Sequence, residues 1–255
     1  MKLRILGCGT SSGVPRIGND WGRCDPTEPK NRRLRSSLIV ESAGARLLID
    51  CGPDVRQQLL AAEVARLDMV IITHDHADHS HGLDDLRQLM QLMGEPIAFR
   101  GRSGTLTALA ERFRYAFIGT ALYPPFLAAS VLDEKERLGS ARLRFVDQPH
   151  GPITSVGIRV DEGARSAVYA IDFHDLTEDM ADLYEGSDLW ISDCLRRRPH
   201  PSHAHLDAVL GWARDLRVGQ LVLSHLDNSM DMAELARELP DWAAPGFDGQ
   251  EFTLA

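Results

Sequence analysis

Four histidines fall within eight positions, in Thr73-His74-Asp75-His76-Ala77-Asp78-His79-Ser80-His81, and no histidine precedes them in the chain. Asp75 and Asp78 are interleaved among them. The stretch follows directly on the apolar run Leu67-Asp68-Met69-Val70-Ile71-Ile72. A run of that kind reads as a buried strand, and burying several unpartnered polar groups at its end would cost several kcal/mol each, on the order of the transfer penalty. Holding divalent metal ions is the arrangement that satisfies them most cheaply. The donors are imidazole and carboxylate with no thiolate, a set that suits Zn or Mn, with Fe also compatible.

The internal spacing divides the motif. On a helix His74 and His76 would point about 200° apart and could not share an ion. On an extended loop leaving a strand, both can turn toward one ion. Asp78 and His79 then fall at the opening of a helix expected to begin near Gly82, where the chain turns and can address a second ion. Two adjacent metals follow. Solvated surface histidines would leave both the interleaved carboxylates and the strand feeding the cluster unexplained.

Elements must hold these groups. Strand-like runs occur at 3–6, 37–41, 46–50, 69–73, 97–100, 143–146, 157–160, 167–171, 189–192 and 221–224. Helical patterns occur at 54–62, 83–93, 105–117, 178–184, 206–216 and 232–239. That order suits two mixed sheets packed face to face with helices outside, a four-layer αββα sandwich of the α/β class. At 255 residues the chain suits one such domain spanning 1–255 with a large core. Segment 119–133, with Pro124-Pro125 and no clear period, reads as a loop beside the site or a plain surface connection.

Composition removes some function classes. Apolar content of 44% and charged content of 25% are ordinary for a globular protein. No run approaches 18 apolar residues, so no membrane span is expected. The opening Met1-Lys2-Leu3-Arg4-Ile5-Leu6-Gly7 is too short for a signal peptide, which makes the cytoplasm the expected location. A net charge of −9 argues against a general nucleic-acid surface. Arg outnumbers Lys 25 to 3, a skew that reflects genome composition rather than phosphate recognition. Cys8, Cys24, Cys51 and Cys194 form no C-x-x-C pair and read as buried thiols.

The motif T-H-x-H-x-D-H resembles that of the metallo-β-lactamase superfamily of metal-dependent hydrolases. The resemblance implies the αββα sandwich with metals at the end of the two sheets, and later ligands in the order His, Asp, His. His150 in Gln148-Pro149-His150-Gly151, Asp172 ending Tyr169-Ala170-Ile171-Asp172, and His225 ending Leu221-Val222-Leu223-Ser224-His225 occur in that order. By the resemblance, His74, His76 and His150 hold one ion, Asp78, His79 and His225 the other, and Asp172 bridges them. Asp50, in Leu48-Ile49-Asp50-Cys51-Gly52, stands where the superfamily keeps a buried acid beside the metal loop, and is expected to support a ligand.

Within the superfamily the chain is similar to a phosphodiesterase branch that includes phosphoribosyl cyclic-phosphate diesterases and, more distantly, tRNA 3′-end endonucleases. Gly9-Thr10-Ser11-Ser12-Gly13-Val14-Pro15 matches its G-T-S-x-G-x-P turn, and Asn31-Arg32-Arg33-Leu34-Arg35-Ser36-Ser37 its basic lead into the second strand. His200-Pro201-Ser202-His203-Ala204-His205-Leu206 lies where the branch keeps a catalytic histidine that is not a ligand. The likeness implies His203 and Asp78 as catalytic residues, with His205 the rival to His203 as general acid. Two departures matter. Only Cys24 remains where many relatives carry closely spaced zinc-binding thiols, so no structural zinc is expected there. No long Gly/Pro-rich arm of the kind that grips tRNA is present, which argues against nucleic acid as a partner.

The expected function is hydrolysis of a small phosphodiester, a cyclic nucleotide or cyclic ribose phosphate. Two divalent ions would neutralise its anionic oxygens and supply a shared hydroxide for in-line attack. His203 would protonate the leaving oxygen, an effect typically worth about 10²–10⁴-fold. Competing readings are an RNA-processing endonuclease, a thioester or lactone hydrolase on the same centre, and a non-catalytic metabolite-binding protein. Relatives suggest a homodimer.

Overall fold

The structure is a computed structural model describing residues 1–255. Fourteen strands form two sheets of seven. In the first, β1 (Lys2–Gly7), β2 (Ser37–Ser42) and β3 (Ala45–Ile49) are antiparallel neighbours. β4 (Met69–Ile71), β5 (Ile97–Gly101) and β6 (Leu127–Val131) continue from β3 in parallel. In the second, β7 (Arg137–Leu138), β8 (Ala141–His150), β9 (Ile153–Glu162) and β10 (Arg165–Ala170) are antiparallel. β11 (Leu189–Asp193), β12 (Gln220–Ser224) and β13 (Ala243–Pro245) follow β10 in parallel. β14 (Glu251–Thr253) crosses back to pair with β1.

Alternation along the strands creates the layers, because successive side chains leave opposite faces. Leu47 and Ile49 of β3 face Ile158, Tyr169 and Ile191 of the other sheet in the central core. Leu48, between them, turns outward against Val55, Leu59 and Leu86. Helices α1 (Val55–Ala61), α2 (Ala77–Ser80), α3 (Arg87–Met93), α4 (Ser103–Arg112) and α5 (Arg114–Ile118) lie in the half of the chain that builds the first sheet. Helices α6 (Glu178–Tyr184), α7 (Leu206–Asp215) and α8 (Met232–Glu238) pack on the outer face of the second, where Met180, Val209 and Leu235 meet Val168, Trp190 and Leu221. The αββα sandwich expected from the order of elements is the observed fold. No helix is long and apolar enough to cross a membrane.

Four expectations change in detail. The histidine motif is not one extended loop: Ala77–Ser80 form a helical turn of their own, so Asp78 and His79 lie inside that turn rather than at the opening of a helix near Gly82. Residues 83–93 divide into a 3₁₀ turn, Leu83–Leu86, and α3. The pattern over 105–117 breaks at Phe113, whose backbone (φ −123°, ψ 40°) is not helical, giving α4 and α5. Segment 119–133 contributes β6, an edge strand paired to β5 through its whole length. All four cysteines are buried thiols.

The parallel arrangement positions the site. β3, β4, β10, β11 and β12 run so that the residues just past their carboxyl ends gather at one rim. Asp50, Asp172 and His225 each follow a strand there, and each has a left-handed backbone, with φ of 62°, 59° and 56°. For residues other than glycine that conformation is strained and concentrates at functional sites.

Candidate metal centre

The Asp172 carboxylate, 2% exposed, is the hub of the rim. Its Oδ2 lies 3.3 Å from His74 Nε2, 3.3 Å from His150 Nε2 and 3.5 Å from His79 Nε2. Its Oδ1 lies 3.2 Å from His225 Nδ1. His76 Nδ1 is 3.3 Å from His150 Nε2, and Asp78 Oδ2 is 3.2 Å from His79 Nε2. The donor atoms fall into two groups, His74, His76, His150 and Asp172 in one and Asp78, His79 and His225 in the other, each within 4.8 Å. All seven residues named from the sequence are thus brought together, with Asp172 between the groups. A third group of the same kind, Asp172, His203 and His225, places His203 at the same rim.

His74, His79 and His150 are oriented from behind. Asp50, fully buried, accepts from His79 Nδ1 at 2.7 Å and from the Thr73 amide at 2.8 Å. Thr73 Oγ1 donates to Asp50 and lies 3.0 Å from His74 Nδ1. His150 Nδ1 donates to the Ser202 carbonyl at 2.8 Å, and Ser36 Oγ lies 3.1 Å from His225 Nδ1. Asp50 therefore stands where the sequence put it, behind a histidine of the motif. Gly52 is required for a different reason. A Cβ there would sit 1.9 Å from the Asp78 carbonyl oxygen, so only glycine lets the α2 turn pack this close.

In His74 and His79 these contacts turn the second nitrogen inward with nothing to bond. His74 Nε2, His79 Nε2 and Asp172 Oδ1 are buried without any hydrogen-bond partner. Orphaned buried nitrogens and a shared carboxylate at this density fit divalent cations held by N and O donors. At His150 and His225 protonation supports the fit. Burial pushes His225 down to about 3 and His150 down to about 4, so both rings are neutral and carry free lone pairs at pH 7. Burial opposes ionisation of Asp172, but the surrounding His225 and His79 rings hold its carboxyl well below the usual range. Burial likewise opposes the His79 charge, and the Asp78, Asp172 and Asp50 carboxylates outweigh it and raise that ring.

His203 is different. Its ring stacks on His225 at 5.0 Å and meets His150 edge-on at 4.9 Å. Its Nδ1 lies 2.9 Å from Asp193 Oδ2 and 3.9 Å from Asp172 Oδ1. Burial lowers its pKa, yet the Asp193 carboxylate brings it up to about 9. His205 stands at the N-cap position of α7 and joins none of the three donor groups. Of these two histidines, His203 alone is brought into a donor group at the rim. Asp193 was not read from the sequence. It ends the apolar strand Leu189-Trp190-Ile191-Ser192, as Asp50 and Asp172 end theirs, and that shared position was the available signal. His81 is exposed and packs edge-on against Phe113, and His174 lies beside the His150 turn, 3.4 Å from the Gly151 amide.

One arginine of the basic lead has a structural task. Arg33 is 2% exposed and donates to the Asp227 carbonyl at 3.0 Å and the Met230 carbonyl at 2.6 Å, with Cys24 Sγ 3.8 Å away. It ties the 24–33 segment to the loop that follows His225.

Residues 45–226 match the model of the β-lactamase superfamily domain. A solved structure, a diphosphatase from the PhnP family, superposes with a TM-score of 0.89 at 31% identity, over 98% of this chain and 96% of that one. Among curated proteins, an octanoyltransferase of Porphyromonas gingivalis is 31% identical over 258 residues, 98% of this chain and 51% of its own length. A ribonuclease Z of Clostridium kluyveri is 33% identical over 176 residues, 68% of this chain and 49% of its own length. The chain spans about half the length of these curated relatives. Fold, metal-binding rim and relatives agree: the chain belongs to the β-lactamase superfamily, and within it to the PhnP family.

Proposed function

We propose that the protein is a metal-dependent hydrolase with a dinuclear centre, acting on small phosphodiesters such as cyclic nucleotides or ribose phosphodiesters. One observation carries this reading: a single buried carboxylate, Asp172, stands between two sets of N and O donors while a further histidine, His203, faces the same space held by its own buried acid. His74, His76 and His150 would hold one ion, Asp78, His79 and His225 the other, with Asp172 shared. The imidazole and carboxylate donors suit Zn or Mn, with Fe compatible. When bound, such ions neutralise the anionic oxygens of a diester and lower the pKa of a water near them.

The remaining chemistry belongs to the chain. His203, held at Nδ1 by Asp193 and stacked on the His225 ring at the rim, carries a proton at pH 7. Diester cleavage expels an alkoxide, and a protonated imidazole there donates to the leaving oxygen. Asp193 fixes the tautomer and orientation of the ring and stabilises its charge. Support for phosphoesters over acyl substrates comes from the diphosphatase relative, which this chain covers nearly end to end. The octanoyltransferase is about twice this length, so its name carries less weight here.

The test is metal analysis followed by a panel of cyclic and linear diesters on wild type, Asp78→Ala and His203→Ala. Asp78→Ala loses metal and turnover together. His203→Ala keeps its metal and loses turnover by roughly 10²–10⁴-fold. Full diesterase rate in His203→Ala would remove its assigned role, and hydrolysis of acyl substrates with none of diesters would overturn the phosphate reading. The ribonuclease Z relatives favour a second reading, RNA cleavage, which structured RNA cut faster than any small diester would establish.

A further inference from the structure

Two motifs of the sequence, the Gly9–Pro15 turn and the arginine-rich lead into β2, are not consumed by the metal centre. Together they line a cavity of about 620 Å³, closed on its other side by α1. The cavity is linked to the rim through the residues next to its lining. Gly9 pairs with Leu226, the neighbour of His225, and Ser36 Oγ donates to the Gly9 carbonyl beside that ring. Arg35, which lines the cavity, packs against Gly52, and Gly52 packs against the Asp78 backbone.

Its charge is opposite to that of the molecule. The chain carries −9 overall, yet Arg4, Lys30, Arg32, Arg33 and Arg35 face only two carboxylates, Asp54 and Asp248, within the lining. Asp54 is taken up by Arg35 at 2.9 Å, and Asp248 accepts from the amides of Cys8 and Leu34. Arg4 pairs with Glu251 at 3.4 Å. Arg33 lines the cavity 2% exposed, with its Nε buried and without an acceptor. Lys30 and Arg32 remain. Both are exposed, and neither forms an ion pair with any carboxylate. Both are nonetheless held by aromatic faces, Lys30 Nζ 4.2 Å above the Phe247 ring and the Arg32 guanidinium 4.9 Å above Trp21. A cation stacked on a ring is oriented before its ligand arrives, which reduces the entropy lost on binding.

We propose that this cavity binds a phosphoryl group, with Lys30 and Arg32 engaging the anionic oxygens of a phosphate-bearing ligand. An ammonium and a guanidinium fork are the donors that phosphate uses best. The choice of phosphate over carboxylate rests on the phosphodiesterase reading. The phosphoryl group comes either from a second phosphate on the substrate or from a separate phosphate-bearing ligand.

The metal-loaded protein and its Lys30→Gln/Arg32→Gln variant are titrated calorimetrically with inorganic phosphate. The variant is expected to lose at least tenfold in affinity for one class of site. In parallel, turnover of bis(4-nitrophenyl) phosphate is compared with that of a diester carrying an additional phosphomonoester. A KM raised at least tenfold for the phosphorylated diester alone, with kcat kept, assigns the site to the substrate's second phosphate. Unchanged turnover of both diesters, with phosphate affinity lost, assigns it to a separate ligand. Superimposable phosphate isotherms overturn the proposal. If wild type turns over neither diester, the phosphodiesterase reading fails while calorimetry still decides the site. Lys30→Gln alone, tested alongside, is expected to show part of the same loss.

Discussion

Asp50→Asn isolates how far the metal centre depends on a residue that would touch no metal. Asp50 is fully buried and accepts from three donors: the Thr73 amide at 2.8 Å, the Thr73 hydroxyl shared between its two oxygens at 3.0 and 2.9 Å, and His79 Nδ1 at 2.7 Å. Asparagine is nearly isosteric, and its oxygen can keep the Thr73 bonds. Its amide nitrogen then faces His79 Nδ1 and can only donate. His79 must move its proton to Nε2, the atom that lies 3.2 Å from Asp78 and 3.5 Å from Asp172, or leave Nδ1–H buried and unpaired. Either way the nitrogen needed for a metal is compromised. A hydrogen bond to a charged group is worth about 1.5–3 kcal/mol, so affinity at the Asp78–His79–His225 set should fall by roughly 10- to 150-fold. Competition with a chromogenic chelator reads this as one weakened ion per chain, while circular dichroism shows the fold retained. A change under about threefold in a folded variant would refute the reasoning, because a carboxylate orienting a ligand imidazole normally contributes at least about tenfold.

Three further outcomes follow from other parts of the structure. Asp193→Asn should retain metal and lower turnover, and the loss should grow at alkaline pH, because the carboxylate that raises His203 to about 9 is gone; an unchanged pH profile would separate Asp193 from His203. Gly52→Ala places a methyl 1.9 Å from the Asp78 carbonyl, so the α2 turn must shift and metal affinity should fall even though no ligand is altered; unchanged metal content would contradict the packing. Burial pushes the Asp248 carboxyl up to about 6, against hydrogen bonds from the Leu34 and Cys8 amides, whereas the unfolded chain titrates it near 3.8. Between those values the folded protein holds a proton the unfolded chain has released, so this group favours the fold below about pH 4. Its contribution is lost as pH rises to 6, by at most roughly 3 kcal/mol. Denaturant melts at pH 4 and 7 should show a smaller difference for Asp248→Asn than for wild type, and an equal one would refute the shift.

The fold and the rim were legible where an apolar run ends abruptly in polar residues. β4, β10 and β12 each announce themselves by an apolar run closed by His or Asp, and these closures are the site. The short edge strands were not legible: β7, β13 and β14 have two or three residues each, too few to show a period of two. β6 escaped because all of its residues after Leu127 are exposed. The α2 turn was hidden because four residues fix no helical period, and tertiary packing against Gly52 decides its conformation. Asp193 shows a different limit. A lone acid after a strand is unremarkable by itself, and its place beside His203 exists only because the segment between β11 and α7 folds back over it from ten residues away.

The most direct test of the central claim is diester turnover measured against metal content, titrating chelated protein with Zn or Mn. Activity should rise with ion loading and be complete at two ions per chain. Full activity with one ion or none, or two bound ions with no diester hydrolysed, would contradict it.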